Sequence, residues 1–387
     1  MTTLRFQSFV LVSLSFILGF SEFIIVGILN NVATQFNVSE AAVGLLVTLF
    51  AIVYAIATPI ISLLIGKHSL YRCLIFLLII FISGNLLTAL APNYTILAFS
   101  RILTALVSGA IVSLAITFGS FLAPLDKRSS LIALIFSGFS VASVFGVPLG
   151  TWLSNYTSWR NVFWIISFLA LITLALVAKC LPRNLRQQKT LNFLSQLKIF
   201  TDNRIKLGVF LPALNMAAIY VAYTYLQPLF SQAMHFKTNT IALLLFTYGF
   251  MSLLGNVYSG RLADDYGLKA MSIVFLLQFF LLVSLPLTMT NRYIGLFAIM
   301  FLGFLMYLVN SPAQMFYLQI AENKFPQSLV LASSFNSIFA NLGIATGSAI
   351  GSLLYLHTGL SGIGPGGAFF AFLAIIINLK LSQLNKN

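Results

Sequence analysis

Apolar runs of membrane-crossing length recur along this chain and leave room for little else. Twelve can be read, at residues 6–31, 41–65, 73–91, 95–122, 131–153, 160–181, 207–230, 240–260, 270–289, 293–317, 329–356 and 366–381. A helix needs about 20 apolar residues to cross the hydrocarbon core, and the separators carry turn residues or charges. Of the 387 residues, 59% are hydrophobic and 7% charged; soluble domains average about 45–50% and about 25%. Too few polar groups remain to cover a soluble surface, which excludes a soluble enzyme or a disordered chain. Lys and Arg outnumber Asp and Glu by 21 to 7. They fall in short loops, whereas a nucleic-acid reader clusters them on one solvated face. Cys73 and Cys180 are the only cysteines, too few for a disulfide framework. The first run is too long for a cleaved leader, and no small-residue cleavage site follows it.

An even number of spans places both termini on one side. With the N-terminus inside, 17 of the Lys and Arg residues lie in inner segments, three (Arg160, Lys237, Arg292) in outer loops, and Arg101 within a span. Cytoplasmic loops carry the cationic excess, so both termini are expected in the cytoplasm and the chain in a bacterial cytoplasmic membrane. The basic excess is then a topology signal rather than a binding surface.

The longest polar stretch, 182–206, separates six spans from six. The expected organisation is therefore an N-terminal bundle over 1–181, a linker over 182–206 and a C-terminal bundle over 207–387. Leu191, Leu194, Leu197 and Phe200 recur at helical spacing, which predicts a short amphipathic helix at the membrane surface. Two landmarks suggest duplication. The loop after span eight, Gly260-Arg261-Leu262-Ala263-Asp264-Asp265-Tyr266-Gly267, matches the loop after span two with Asp264 opposite Gly66, 198 positions apart. Gly138, Ala142, Gly146 and Gly150 in span five match Gly343, Gly347 and Gly351 in span eleven, and Gly146 and Gly343 are 197 apart. Duplicated bundles are frequent in secondary transporters, which place their solute near the midplane between halves.

Glu22 is the one carboxylate well inside a span, and Arg101 the one cation. A carboxylate at the centre of a helix in hydrocarbon costs about 2.5 kcal/mol or more, so Glu22 should face the interior. A group that gains and loses a proton in a sealed path is what proton coupling requires; a buried structural glutamate is the plain alternative. Glu22 lies about 12 Å below the outer end of span one and Arg101 about 9 Å into span four, at 1.5 Å per residue. The two are expected to pair, directly or through water. The alternative is that Arg101 only ties helices together through backbone carbonyls. The glycine rows let helix backbones approach closely, and Pro148 removes a backbone hydrogen bond and bends span five. Span five is expected to slide tightly against span eleven. The second half has no charge in its spans. Its cavity is expected to be lined by Asn215, Tyr220, Tyr223, Asn310, Gln314, Asn336 and Asn341, groups that suit a planar, uncharged solute.

These residues resemble the major facilitator superfamily. Gly260–Gly267 resembles its inner-loop motif, Leu97-x-x-x-Arg101 its span-four arginine motif, and Gly146-Val147-Pro148-Leu149-Gly150-Thr151 the antiporter motif of its drug:proton antiporter branch. Ser21-Glu22-Phe23, Trp159-Arg160-Asn161-Val162-Phe163 and Ser334-Phe335-Asn336 with Asn341-Leu342-Gly343 are similar to the arabinose-efflux-permease-like subgroup. The stretch from span four to span five is also similar to bacterial purine efflux pumps. The resemblance implies an all-α membrane protein of twelve transmembrane helices in two six-helix repeats. It further implies proton-coupled efflux of a small organic solute (a drug, purine, nucleoside or sugar) by alternating access. Glu22 and Arg101 would couple protons; Gly138, Gly146, Pro148, Gly150, Gly260, Asp264, Gly267, Gly343 and Gly347 would serve the conformational change. The family's inner-loop aspartate is missing from the first half, where Gly66 stands, so only Asp264 could supply its latch. The proline usual after the Gly-Leu-Leu of span one is also absent, since Asn30 follows Gly27-Ile28-Leu29. A monomer without cofactor, metal or nucleic acid is expected. A facilitative uniporter, an uptake symporter and a passive channel compete with this reading. The two-half repeat favours a carrier over a channel, and no phosphate loop or metal-ligand cluster suggests an enzyme.

Overall fold

A computed structural model of the chain describes residues 2–65, 69–124, 128–185 and 197–385. Among the described residues twelve helical spans follow in order. The first six cover Thr2–Phe36, Glu40–Ile65, Leu70–Leu90, Tyr94–Leu122, Arg128–Tyr156 and Trp159–Cys180. The last six begin at Asn203, Thr238, Leu268, Arg292, Leu329 and Ile363 and end at Ala233, Asp265, Thr288, Lys324, Thr358 and Leu384. Spans eleven and twelve are parted only by a tight turn at Gly359, whose φ of 66° lies in the left-handed region. That conformation costs glycine little and other residues much.

Four interruptions with a proline just beyond them shape these helices, and a further π turn, Leu229–Ala233, closes span seven. Span five widens into a π turn over Ala142–Gly146, span seven breaks at Val209 and again at Thr224-Tyr225, and span ten breaks over Tyr307–Val309. Each is followed two or three residues later by a proline: Pro148, Pro212, Pro228 and Pro312. Proline has no N–H and its ring crowds the carbonyl four residues earlier, so it sits best in the first turn of a helix that restarts. Span one, without the family's proline, runs unbroken for 35 residues.

The chain forms two compact units. One comprises Met1–Ser39 and Leu49–Lys189, the other Glu40–Thr48 and Thr190–Asn387. Span two is thus shared: its first nine residues group with the second unit. There the Glu40 carboxylate accepts from Gln232 Nε2 at 3.0 Å and from the Tyr355 hydroxyl.

Within each unit the glycine rows decide which helices come closest. A Cβ added at Gly138 would lie 2.6 Å from the Val12 carbonyl oxygen, and at Gly146 or Gly150 it would strike Phe20 or Ile24, all on span one. A Cβ at Gly343, Gly347 or Gly351 would lie 2.0, 2.5 or 2.8 Å from the carbonyl oxygens of Ala213, Ala217 and Val221 on span seven. Within each unit the room these rows make is taken by the first helix of the same half, by backbone at Gly138, Gly343, Gly347 and Gly351 and by side chains at Gly146 and Gly150. Fifth helix on first recurs in both units, as a duplicated bundle requires.

Of the linker positions expected in a helix, Leu191 and Leu194 lie outside the described residues. Leu197–Thr201 forms a 3-10 turn, and Ile199 is buried while Phe200 packs against Phe335, ring centroids 5.1 Å apart. The described end of the linker, residues 197–201, is fastened into the second unit's core. Asp202 completes the anchor by binding Arg204 at 2.9 Å and Lys324 at 3.7 Å.

Candidate functional site

Two polar clusters interrupt the apolar interior, one in each unit. In the first unit Arg101 is 1% exposed. Its guanidinium reaches span one, donating to Ser21 Oγ at 3.4 Å and to the Glu22 backbone oxygen at 3.5 Å. It also lies over the Phe50 ring, 4.7 Å from the centroid. Ser21 donates to Asn85 Oδ1 on span three at 2.7 Å. Spans one, three and four are knitted at one depth, beside a Thr88–Ser100 bond of 2.7 Å.

Glu22 stands at the centre of this group. From Ile17 to Leu29 it is the one position that is not buried. Its neighbours one turn away on the same face, Leu18, Gly19, Ile25 and Val26, are closed off. A lipid-facing residue would have exposed neighbours at those positions, so Glu22 faces the protein interior. No ion pair within 4 Å joins it to Arg101. The guanidinium binds the Glu22 backbone, and its Nε, buried, has no hydrogen-bond partner. Ser21 and Asn85 were not singled out as partners in the sequence, although an amide within a span is a signal in itself.

In the second unit the amides divide into two groups. Asn215 on span seven is buried and donates to the Met306 carbonyl at 2.9 Å. Gln278 on span nine donates to Asn215 Oδ1 at 2.8 Å and to the Leu305 carbonyl at 3.4 Å. The Met306 carbonyl ends the first half of span ten, where Asn310 N–H turns to the Tyr307 oxygen, while the Leu305 oxygen keeps a backbone donor in Leu308 N–H at 3.3 Å. Buried backbone groups must find partners, and Asn215 supplies one to Met306. Asn310 and Asn336 form a second group with Asn256, and these three are partly accessible, as is Gln314. Asn341 is buried and donates to the Ser337 carbonyl at 3.0 Å. Tyr220 and Tyr223 are buried and stack into an aromatic cluster with Tyr248, with centroid separations of 4.8 and 5.5 Å.

Of the residues expected to serve the conformational change, Gly138, Gly146, Gly150, Gly343 and Gly347 sit in the close helix contacts described above. Pro148 follows the π turn. Gly260 meets nothing within 4 Å, and Gly267 adopts φ 50° in the turn after span eight. The side chain of Asp264 and the loop Gly66–His68 lie outside the described residues.

Two bundles of six spans, repeated within one chain and holding polar groups inside each, define the class of membrane-embedded solute carriers. Comparison with known proteins gives the family. The model of the Major Facilitator Superfamily matches residues 11–325, and the chain belongs to that family. It is 32% identical over 346 residues to the uncharacterized MFS-type transporter YtbD of Bacillus subtilis (strain 168), covering 89% of this chain and 87% of that one. Identity to YbcL of the same organism, also an uncharacterized MFS-type transporter, is 29% over 373 residues, with 96% and 95% covered. In fold it resembles a bacterial homologue of the human lysosomal transporter Spinster in its inward-facing, unoccupied conformation (TM-score 0.76, 16% identity, 98% and 97% covered). It resembles the D-xylose-proton symporter equally (TM-score 0.76, 17% identity, 98% and 97% covered). The chain is a multi-pass membrane protein that transports small solutes and is not an enzyme.

Proposed function

We propose that this chain exports a small organic solute from the cytoplasm of a bacterium in exchange for protons, alternating access between two six-span halves as a monomer. One observation carries the reading. Glu22 is the one carboxyl well inside a span, and it is accessible in an otherwise closed stretch with a guanidinium fixed on its own backbone. Arg101 keeps its Nε–H unspent. An ionised Glu22 can swing onto that donor, a charge-assisted hydrogen bond of about twice ordinary strength. Protonation removes the attraction and frees the carboxyl. Proton arrival and departure thereby remodel the contact between spans one and four. A ligand shifts a conformational equilibrium only through such differential contacts.

Direction follows from the span-five motif and the drug:proton antiporter likeness, and orientation from the 17:3 distribution of Lys and Arg. Asn310, Gln314 and Asn336 offer the solute hydrogen bonds, while Asn215, Tyr220, Tyr223 and Asn341 form the wall behind them. The absence of a charged group among these favours neutral solutes such as purines, nucleosides, sugars or uncharged drugs. The test is transport by purified protein in vesicles with an imposed proton gradient and a mixed panel of these solutes. The gradient should drive saturable, uphill movement against the proton flow. Saturable counterflow indifferent to the gradient would make the chain a uniporter, co-directional movement a symporter, and unsaturable flux a channel.

A further inference from the structure

Spans eight, ten and eleven bring three asparagines into one head-to-tail chain. Asn310 Nδ2 donates to Asn256 Oδ1 at 3.4 Å, and Asn336 Nδ2 donates to Asn310 Oδ1 at 3.3 Å. Both bonds are longer than the usual value of about 2.9 Å. Both ends of the chain are open. Asn336 Oδ1 is shielded from solvent and accepts from no group. Among the described residues the Asn256 amide nitrogen donates to none. Turning all three amides over reverses the chain and still leaves one donor end and one acceptor end.

These amides are not the only polar link between spans eight and ten. A Ser259–Ser311 hydroxyl bond of 2.7 Å already joins spans eight and ten beside them. The contrast with Asn215 and Gln278 is informative. That structural pair is buried and bonded at 2.8–2.9 Å, with Gln278 Oε1 left over, whereas Asn256, Asn310 and Asn336 are partly accessible and joined by longer bonds of 3.3–3.4 Å. Gln314, one turn beyond Asn310 on the same helix face, is partly accessible as well. All four side chains are uncharged. An ionised solute would meet no counter-charge here and would lose its hydration. An apolar solute would leave the amide ends unpaired, each at a desolvation cost of about 1–3 kcal/mol.

We infer that Asn256, Asn310, Gln314 and Asn336 form a subsite for an uncharged solute that both donates and accepts hydrogen bonds, and that the solute completes the open amide chain. The inference rests on the transport reading above and adds Asn256, on span eight, as a residue that sets specificity.

Counterflow in vesicles tests it without any proton gradient. The probes are uracil, hypoxanthine and xylose, which donate and accept; 1,3-dimethyluracil, which has the uracil ring without N–H groups; and benzoate and tetraphenylphosphonium as ions. At least one of the first three should exchange, and the dimethylated ring and the ions should not. Asn256→Leu should raise the half-saturation concentration about tenfold or more, the equivalent of one lost hydrogen bond. Asn256→Asp keeps the shape, loses the NH2 donor and should weaken exchange likewise, at an unchanged melting temperature in both variants. The inference is overturned if only ions exchange, if no probe exchanges, or if both folded Asn256 variants exchange like wild type. Glu22→Gln should keep this counterflow. A failure of proton coupling shows itself only under an imposed gradient, so the two readings fail separately.

Discussion

Glu22 and Asn215 are both polar residues inside apolar helices, and the structure gives them opposite work. Asn215 is spent on backbone accounting, since it donates to the Met306 carbonyl at the break in span ten and is itself held by Gln278. Asn215→Leu should therefore cost about 1–3 kcal/mol, the penalty of leaving buried polar groups unpaired, read as a lower melting temperature in detergent. Asp202 makes a further prediction. Hydrogen bonds from Arg204, with the charges of Arg204 and Lys324, hold its carboxyl below the ordinary range. Folding then favours the ionised form. That contribution is complete above the unfolded pKa of about 3.9 and is lost as pH falls toward the lower folded value. The melting-temperature gap between wild type and Asp202→Asn should be constant near neutrality and shrink below about pH 4; a gap independent of pH would refute the anchor. At this scale the sequence was only partly legible. Intramembrane charge singled out Glu22 and Arg101, because charge in hydrocarbon is rare. The amides could not be sorted into structural and open ones, because that depends on which carbonyls the helix breaks orphan.

The helices themselves were the legible part, since length and apolarity decide them almost alone. Their interruptions were not. Pro148, Pro212, Pro228 and Pro312 each follow a break, yet Pro59 and Pro286 sit inside helices without one, so proline marks a permitted restart rather than a required break. The glycine rows mark close contacts, and within each half the neighbour they meet is the first helix. Spacing shows that a helix has a narrow face but does not show what lies against it. Gly343→Ala should destabilise by about 1–3 kcal/mol, the usual cost of overpacking, because its Cβ would sit 2.0 Å from the Ala213 oxygen. Gly260→Ala meets open space and should stay within about 0.5 kcal/mol of wild type. Equal melting temperatures for the two variants would refute the packing account. Gly146→Leu, pressed on Phe20, should abolish transport.

Across the whole molecule, duplication has preserved packing and let chemistry diverge. Both units set their fifth helix on their first, but the intramembrane charges lie in the first half and neutral amides line the second. Under the proposed exchange, the first half handles the proton and the second the solute, a division read from charge placement in the sequence. The 17:3 asymmetry of Lys and Arg predicts that a tag at residue 387 is reached only from the cytoplasm and one after Tyr156 only from outside. Labelling of intact and opened cells checks this. The central claim, that titration of Glu22 drives exchange, is met most directly by assaying Glu22→Gln in vesicles with and without a proton gradient. The account predicts that gradient-driven accumulation disappears while solute counterflow persists; accumulation at the wild-type level would contradict it.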